Sequence, residues 1–230
     1  MNLPVRSSVA LAILIVTIGC QATASPSTQP SPSDPVTATP AAAASVASLS
    51  TPSPAATAAE PRYATTNFRI PLSVVVAEGL PSTPTADTPG LLTWTATSEP
   101  NNRIRFLSPA EVYPPGAKTP VPPPADFLAY IKGQADRGGI LTDMSATTVD
   151  GLPATLLTAN ASRPLDGSLG CPTKEGDPEC FGLQPGRTLR MAVVDVHGQP
   201  LLIWARTDSQ APDDAFLVSF ERMLGTVIFR

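Results

Sequence analysis

The three cysteines are the residues of this chain whose chemistry is easiest to assign. Cys171 and Cys180 are separated by eight residues that include Pro172, Gly176 and Pro178, so a tight turn can bring the two thiols together. The pair lacks the Cys-x-x-Cys spacing of redox-active thiols, and the chain lacks the additional ligands of a zinc site. We therefore predict a structural disulfide between Cys171 and Cys180, which would stabilise the fold by about 2 to 3 kcal/mol.

The third cysteine, Cys20, follows a segment with the pattern of a signal peptide. Arg6 supplies a positive charge, and residues 9–18 form an apolar run that only Thr17 interrupts. A helix that crosses a bilayer needs about 20 apolar residues, so this run is too short for a permanent anchor. We expect residues 1–19 to be a signal peptide that is removed.

The Gly19-Cys20 pair resembles the lipobox of bacterial lipoproteins, whose cysteine becomes lipidated. Thr17 departs from the Leu or Val usual at its position, and the alternative is an ordinary secretory signal cleaved near Ala24. Lipidation of Cys20 would leave an even pair of cysteines, which suits an oxidising compartment. We therefore predict a palmitate-bearing Cys20 that holds the protein on the outer side of the bacterial cell membrane.

Composition divides the rest of the chain into a tether and a domain. Ala, Pro, Ser and Thr make up 34 of the 42 residues in 21–62, which contain no aromatic residue and offer little apolar surface to bury. We interpret residues 20–62 as a disordered tether. Its composition fits both a bare spacer and a segment that carries O-linked sugars, and we favour the bare spacer. Residues 63–230 are long enough for a single domain with its own core.

The charge of this domain argues against nucleic acid as a partner. Residues 63–230 contain 13 Lys and Arg and 17 Asp and Glu, and the basic residues are scattered along the sequence. A net charge of −4 repels phosphate backbones and anionic lipid headgroups. The expected contact with the membrane is therefore the N-terminal lipid alone.

One group of carboxylates could bind a cation. Glu175, Asp177 and Glu179 alternate between the two cysteines that we expect to be bridged. The segment has neither the length nor the ligand order of an EF-hand loop. We interpret it as a solvated acidic loop, with a weak Ca²⁺ site as the alternative, and we predict no other metal and no cofactor.

Catalytic motifs are absent from the sequence. His197, the sole histidine, lies in a predicted turn without an adjacent nucleophile motif, and Ser168 lacks the Gly-x-Ser-x-Gly surroundings of a serine hydrolase. Gly138-Gly139 is better placed to end a helix than to bind phosphate. Trp94 and Trp204 fall in predicted strands, where core packing is favoured over a sugar-binding platform. We therefore predict no catalytic residues.

Periodicity predicts strands and two helices in residues 63–230. The predicted strands are residues 67–76, 91–97, 103–107, 140–149, 152–159, 188–196, 201–207 and 226–229. The first helix is predicted over residues 125–137. The last is predicted to begin at a cap on Asp208 or Ser209, to contain Pro212 in its first turn, and to bury Phe216 and Phe220. Strands and helices do not alternate, so we predict an α+β fold with an antiparallel sheet covered by two helices; a sandwich dominated by strands is the alternative.

The sequence resembles the PsbP-like α/β/α sandwich domains of bacterial lipoproteins. The similarity spans most of residues 67–230 and is carried by Phe68-Arg-Ile-Pro-Leu72, Val149-Asp-Gly-Leu-Pro-Ala154, Val193-Val-Asp-Val-His-Gly198 and Val227-Ile-Phe229. The resemblance implies no enzyme activity on particular residues. We predict a non-enzymatic binding or accessory module for an envelope protein or a small ligand, with an extracytoplasmic hydrolase that uses carboxylates as the alternative.

Overall fold

A computed structural model describes residues 61–174 and 180–230 of the chain. The predicted signal peptide, the lipid on Cys20 and the acidic residues Glu175, Asp177 and Glu179 lie outside the described residues. The strands are β1 (Arg62–Ala64), β2 (Leu72–Val75), β3 (Ala86–Asp87), β4 (Leu91–Thr95), β5 (Arg103–Leu107), β6 (Gly139–Val149), β7 (Leu152–Ala161), β8 (Arg187–Val196), β9 (Gln199–Asp208) and β10 (Ile228–Phe229). The α-helices are α1 (Phe127–Lys132) and α2 (Asp214–Leu224), and Ala135–Arg137 forms a 3-10 turn.

These strands form two antiparallel sheets. The larger sheet has seven strands in the order β3-β4-β5-β9-β8-β7-β6, and the smaller has three in the order β1-β2-β10. Every pair of neighbours in both sheets is antiparallel. The predicted α+β class with an antiparallel sheet is therefore confirmed.

Two short turns set the register of the long strands in the larger sheet. Asp150 and Gly151 join β6 to β7 with φ angles of 50° and 75°, and His197 and Gly198 join β8 to β9 with 54° and 84°. Positive φ at both central residues is the geometry of a type I′ turn, which Asp-Gly favours strongly. The two-residue connection between the predicted strands 140–149 and 152–159 is confirmed, and the connection between the predicted strands 188–196 and 201–207 is shorter than predicted because β9 begins at Gln199.

The larger sheet buries both of its faces. Alternate residues of β9 point to opposite sides, so that Ile203 belongs to the apolar cluster beneath α2 and the smaller sheet, whereas Trp204 belongs to the cluster beneath α1. Trp94 and Trp204 are 0% and 2% exposed. The prediction that both tryptophans pack in the core is therefore confirmed.

Helix α2 begins later than predicted. The carboxylate of Asp213 caps it by accepting a hydrogen bond from the Phe216 backbone N–H at 2.9 Å, so Pro212 precedes the helix. The predicted cap on Asp208 or Ser209 is wrong, because Asp208 is the last residue of β9 and its carboxylate accepts bonds from Arg187 and Gln210. The predicted burial of Phe216 and Phe220 is confirmed, and Ser219, Met223 and Leu224 of the same helix are also buried.

The predicted helix over residues 125–137 is shorter than expected. Helix α1 ends at Lys132, and Gly133, which favours helix continuation poorly, forms its C-terminal cap. A separate 3-10 turn follows and ends at Gly138, whose φ of 101° is easily reached by glycine alone. The prediction that this glycine pair ends helical structure is confirmed at Gly138.

Two short strands, β1 and β3, were not predicted, and β1 begins one residue before the predicted domain boundary at 63.

Candidate functional site

Four arginines of the larger sheet lie on one face near one end of its central strands. We call Arg103, Arg105, Arg187 and Arg206 the arginine cluster. Arg103 and Arg105 are two residues apart on β5, so their side chains leave the same face. Strand register places Arg103 directly opposite Arg206 of β9, and Arg206 directly opposite Leu189 of β8, two residues from Arg187. The antiparallel pairing of β5, β9 and β8 therefore brings together residues that are far apart in sequence.

The arginine cluster brings positively charged guanidinium groups close together where Arg206 is partly buried. Burial, followed by repulsion from Arg103 and Arg187, lowers the pKa of Arg206 to about 10. Arg206 donates from Nε to the Asn101 carbonyl oxygen at 3.0 Å, and Arg103 donates from Nε to the Pro100 carbonyl oxygen at 3.3 Å. These bonds hold the two guanidinium groups in place without neutralising them.

Only part of this charge is compensated by the described residues. Arg187 forms an ion pair with Asp208, with 3.2 Å between Nη1 and Oδ2. No carboxylate in residues 61–174 and 180–230 lies within 4.0 Å of a guanidinium nitrogen of Arg103 or Arg206. Adjacent arginines that no described carboxylate compensates repel each other, which marks the cluster as a candidate binding site for an anion.

Two aromatic rings border the arginine cluster. The Phe181 and Trp204 rings meet edge to face with their centroids 5.3 Å apart. The Arg105 guanidinium lies 4.5 Å from the centroid of Phe181 and 6.0 Å from that of Trp204. This arrangement allows a cation–π contribution and fixes the orientation of Arg105.

The cluster lines two adjoining depressions that share Arg105, Cys180 and Phe181. The larger has a volume of about 390 Å³ and also contains Arg103 and Thr93, and the smaller, of about 200 Å³, also contains Arg187 and Arg206. We call the two depressions together the arginine cleft. The Thr93 side chain is 6% exposed, and its buried hydroxyl has no hydrogen-bond partner among the described residues. An unpartnered buried hydroxyl in the wall of a cleft is a polar group that a ligand could satisfy.

The disulfide holds one wall of this cleft. Cys171 and Cys180 are joined by a 2.07 Å S–S bond, so the predicted disulfide is confirmed. Cys171 is buried and its backbone N–H donates to the Glu111 carbonyl oxygen at 2.8 Å. Phe181, the residue after Cys180, donates from its backbone N–H to the Gly170 carbonyl oxygen at 2.9 Å. The bridge therefore fixes the backbone from which the Phe181 ring extends into the cleft.

The other residues singled out by the sequence lie elsewhere. His197 is exposed in the turn between β8 and β9, beside a separate depression of about 350 Å³ that Asp150 also lines. The Asp150 carboxylate accepts a hydrogen bond from the Phe229 backbone N–H at 2.8 Å. Ser168 is 5% exposed, and its hydroxyl accepts a hydrogen bond from the Tyr113 backbone N–H at 2.9 Å. Each of these two bonds joins segments that are far apart in sequence.

Residues 61–174 and 180–230 show neither a group of metal ligands nor a helix that could span a membrane. These residues contain no group of three or more His, Cys, Asp or Glu side chains placed to hold a metal ion. Neither of their α-helices is long and apolar enough to cross a membrane.

The arginine cluster was not predicted from the sequence. The basic residues are scattered along the chain, but the fold brings Arg103, Arg105, Arg187 and Arg206 together. The alternation of Arg103 and Arg105 on a predicted strand was a usable signal, because it places both side chains on one face. The position of Arg206 beside Arg103 could not be predicted from the sequence. It depends on the pairing of β5 with β9, which are separated by about one hundred residues.

The chain is similar in structure to a cyanobacterial protein but matches no family model. No protein-family model matches the chain, and the search of curated proteins found no significant match. The solution structure of cyanobacterial PsbP (CyanoP) from Synechocystis sp. PCC 6803 is similar with a TM-score of 0.40 and 13% identity, over 77% of this chain and 98% of that chain. At this TM-score and identity the similarity carries no argument about function, and the α+β class is established by the strands and helices themselves.

Proposed function

We propose that this protein is a lipid-anchored extracytoplasmic lipoprotein whose domain binds an anionic ligand without catalysing a reaction. The arginine cleft is the proposed binding site. The observation that carries the proposal is the juxtaposition of Arg103 and Arg206, which face each other without a described carboxylate within ion-pair distance. Like charges directly opposite on neighbouring strands are destabilising, and an anion bound between them would relieve the repulsion.

The composition of the cleft favours binding over catalysis. Its described lining residues include neither a carboxylate nor a histidine, and Cys180 is oxidised. Arginine stays protonated near neutral pH and therefore serves poorly as a general acid or base. A carboxylate-based hydrolase would need a pair of acidic side chains across the cleft, so these lining residues do not favour that alternative.

The proposed anchor is supported by the sequence of the N-terminus. A short apolar run that ends at Gly19-Cys20 supplies both an export signal and an acceptor for the lipid. Because this run is too short to remain as a spanning helix, acyl chains on Cys20 would supply the membrane attachment. A tether over residues 20–62 would then hold the domain at a distance from the bilayer.

The anchor is tested by mass and by partition. We expect the protein isolated from membranes to begin at an acylated Cys20, and we expect Cys20→Ser to move it from the detergent phase to the aqueous phase in a phase-separation assay. Gln21→Ser serves as the matched control, because it changes the neighbouring residue and leaves the thiol. A Cys20→Ser protein that still partitions with detergent, or an unprocessed N-terminus, would contradict the anchor.

The binding function is tested separately by thermal unfolding of the full chain in a panel of small anions. We expect at least one anion to raise the unfolding temperature of the wild type and to have a smaller effect on Arg103→Gln. No selective stabilisation by any anion would contradict binding at the cleft.

A further inference from the structure

We infer that the arginine cleft binds the dianionic phosphate group of a phosphomonoester, supplied either by a soluble ester or by a lipid headgroup. This inference rests on the proposed binding function and names the ligand class of the same site.

The charge of the opposed pair Arg103 and Arg206 matches that of a dianion. Arg187 is paired with Asp208, whereas Arg103 and Arg206 carry two positive charges that no described carboxylate compensates. A phosphomonoester carries about −1.5 to −2 at neutral pH, whereas a carboxylate or a phosphodiester carries about −1. The charge of a phosphomonoester therefore balances that of the pair.

The placement of the Arg103 and Arg206 donors also fits a phosphate group. Arg103 and Arg206 are directly opposed on antiparallel strands, so their side chains leave the sheet side by side. Their Nε atoms donate to the carbonyl oxygens of Pro100 and Asn101, and their terminal nitrogens make no hydrogen bond to any described residue. Planar guanidinium groups bind phosphate through two parallel hydrogen bonds, and a tetrahedral group has enough oxygens to accept from both arginines.

The wall of the cleft next to Arg103 is polar. Strand register places Thr95 opposite Arg103 and Thr93 opposite Arg105, so that the two threonines continue the polar surface onto β4. The buried Thr93 hydroxyl lacks a described partner and lines the same depression as Arg103. It would supply an additional neutral donor to the ligand.

The larger depression has room for more of the ligand than its phosphate group. The depression that contains Arg103 has a volume of about 390 Å³ and is also lined by Leu91 and by the Phe181 ring. This volume exceeds that of a phosphate ion, and the side chains of Leu91 and Phe181 give an organic body an apolar contact within an otherwise polar lining. An aromatic or aliphatic phosphomonoester would use both kinds of surface.

The test is isothermal titration of the purified full chain with phenyl phosphate and with benzoate, which pairs a similar ring with a single negative charge. We expect phenyl phosphate to bind more tightly than benzoate. We expect Arg103→Gln/Arg206→Gln to weaken phenyl phosphate binding by about tenfold or more. Arg69→Gln/Arg222→Gln, which removes the same charge from exposed positions outside the cleft, should change the affinity by less than about twofold.

A second variant, Asp208→Asn, keeps all four arginines and tests binding even if the double variant fails to fold. Asp208→Asn releases Arg187 from its ion pair, and we expect it to tighten phenyl phosphate binding by about threefold to tenfold. An unchanged or weaker affinity in a folded Asp208→Asn protein would count against the inference.

Vesicles distinguish the two sources of the phosphomonoester. Phosphatidic acid presents a phosphomonoester at the bilayer surface, whereas phosphatidylserine presents a phosphodiester, and both are anionic. The vesicle test uses the Cys20→Ser protein, because acyl chains on Cys20 would attach the protein to any bilayer. Binding to phosphatidic acid vesicles but not to phosphatidylserine vesicles, lost when Arg103→Gln/Arg206→Gln (the cluster variant) is added, assigns the lipid as a source, and binding to phenyl phosphate alone assigns a soluble ester. Benzoate binding that equals phenyl phosphate binding and depends on the cluster would overturn the phosphate assignment while leaving the proposed anion-binding function intact. Equal binding by the wild type and the cluster variant, or no binding of any probe, would overturn both.

Discussion

Arg103 and Arg206 stand opposite each other on β5 and β9, and burial together with mutual repulsion lowers the pKa of Arg206 to about 10. Each side chain is held by a hydrogen bond from its Nε to a backbone carbonyl oxygen. Repulsion between fixed like charges raises the free energy of the unliganded fold. The domain therefore maintains an unfavourable contact at the place where we propose that it binds an anion.

Relief of this repulsion should stabilise the unliganded protein. We expect Arg103→Gln to raise the free energy of unfolding by about 0.5 to 1 kcal/mol and the unfolding temperature by about 1 to 4 °C. The measurement is thermal unfolding by circular dichroism in a buffer without multivalent anions. The matched control is Arg69→Gln, at an exposed position outside the cluster, which should change the unfolding temperature little. A clear loss of stability in Arg103→Gln would show that the side chain is held for packing.

The disulfide should contribute both to stability and to the cleft. We expect Cys171→Ser/Cys180→Ser to lower the free energy of unfolding by about 2 to 3 kcal/mol, because the closed loop contains about ten residues. Urea unfolding of the variant and of the oxidised wild type measures the difference. We also expect weaker anion binding, because Phe181 follows Cys180 and lines the cleft. A variant as stable as the oxidised protein would show that the bridge is dispensable.

Gly90 is expected to be intolerant of a side chain. A Cβ atom at this position would overlap the backbone of Pro172, which follows the disulfide-bonded Cys171. The backbone cannot move aside as a flexible side chain can, so we expect Gly90→Ala to lower the free energy of unfolding by about 3 kcal/mol. Gly225→Ala is the control, because its nearest contact would be an ordinary 3.5 Å to the Arg222 carbonyl oxygen. Equal stability of the two variants in urea would contradict this close approach.

Asp87 should make the fold sensitive to acid. Its carboxylate accepts hydrogen bonds from the Tyr63 hydroxyl at 2.7 Å, from the Thr66 backbone N–H at 2.8 Å, from the Thr66 hydroxyl at 2.9 Å and from the Asn67 backbone N–H at 3.3 Å. Burial by itself would raise the pKa of Asp87, but these hydrogen bonds outweigh it and leave the pKa below its ordinary value.

The sign of the pH effect follows from that direction. A carboxyl whose pKa is lower in the folded state stabilises the fold above its unfolded pKa, and the contribution is lost as the pH falls through the folded value. We therefore expect Asp87→Asn to be less stable than the wild type near neutral pH and to lose less stability on acidification. Urea unfolding at a series of pH values measures both effects. Parallel curves for the two proteins would show that Asp87 does not contribute to the acid transition.

The long strands were predictable because their sequences carry the period of a sheet and the residues of its turns. The Asp150-Gly151 hairpin illustrates this, since the turn type requires residues that tolerate positive φ. Strands β1 and β3 were missed because two or three residues are too few to show a period. The cap of α2 was misplaced because several acidic residues precede the helix, and the pairing of Asp208 with Arg187 decides which of them is free to cap.

The arginine cluster shows the limit of prediction from a single sequence. Alternation on β5 places Arg103 and Arg105 on one face, and this much was available from the residues alone. Which strand lies beside β5 depends on long-range pairing, so the position of Arg206 opposite Arg103 became visible only in the fold. The net charge of the domain was similarly uninformative, because a cleft responds to local charge and not to the sum over the surface.

The most direct test of the account is a two-dimensional ¹H–¹⁵N spectrum of the full chain during titration with phenyl phosphate, in which the arginine Nε–H signals are followed. We predict that the signals of Arg103 and Arg206 shift in a saturable way, while those of Arg69 and Arg222 stay constant. Saturable shifts confined to Arg69 or Arg222, or no shift in any arginine signal, would contradict the assignment of the arginine cleft as the binding site.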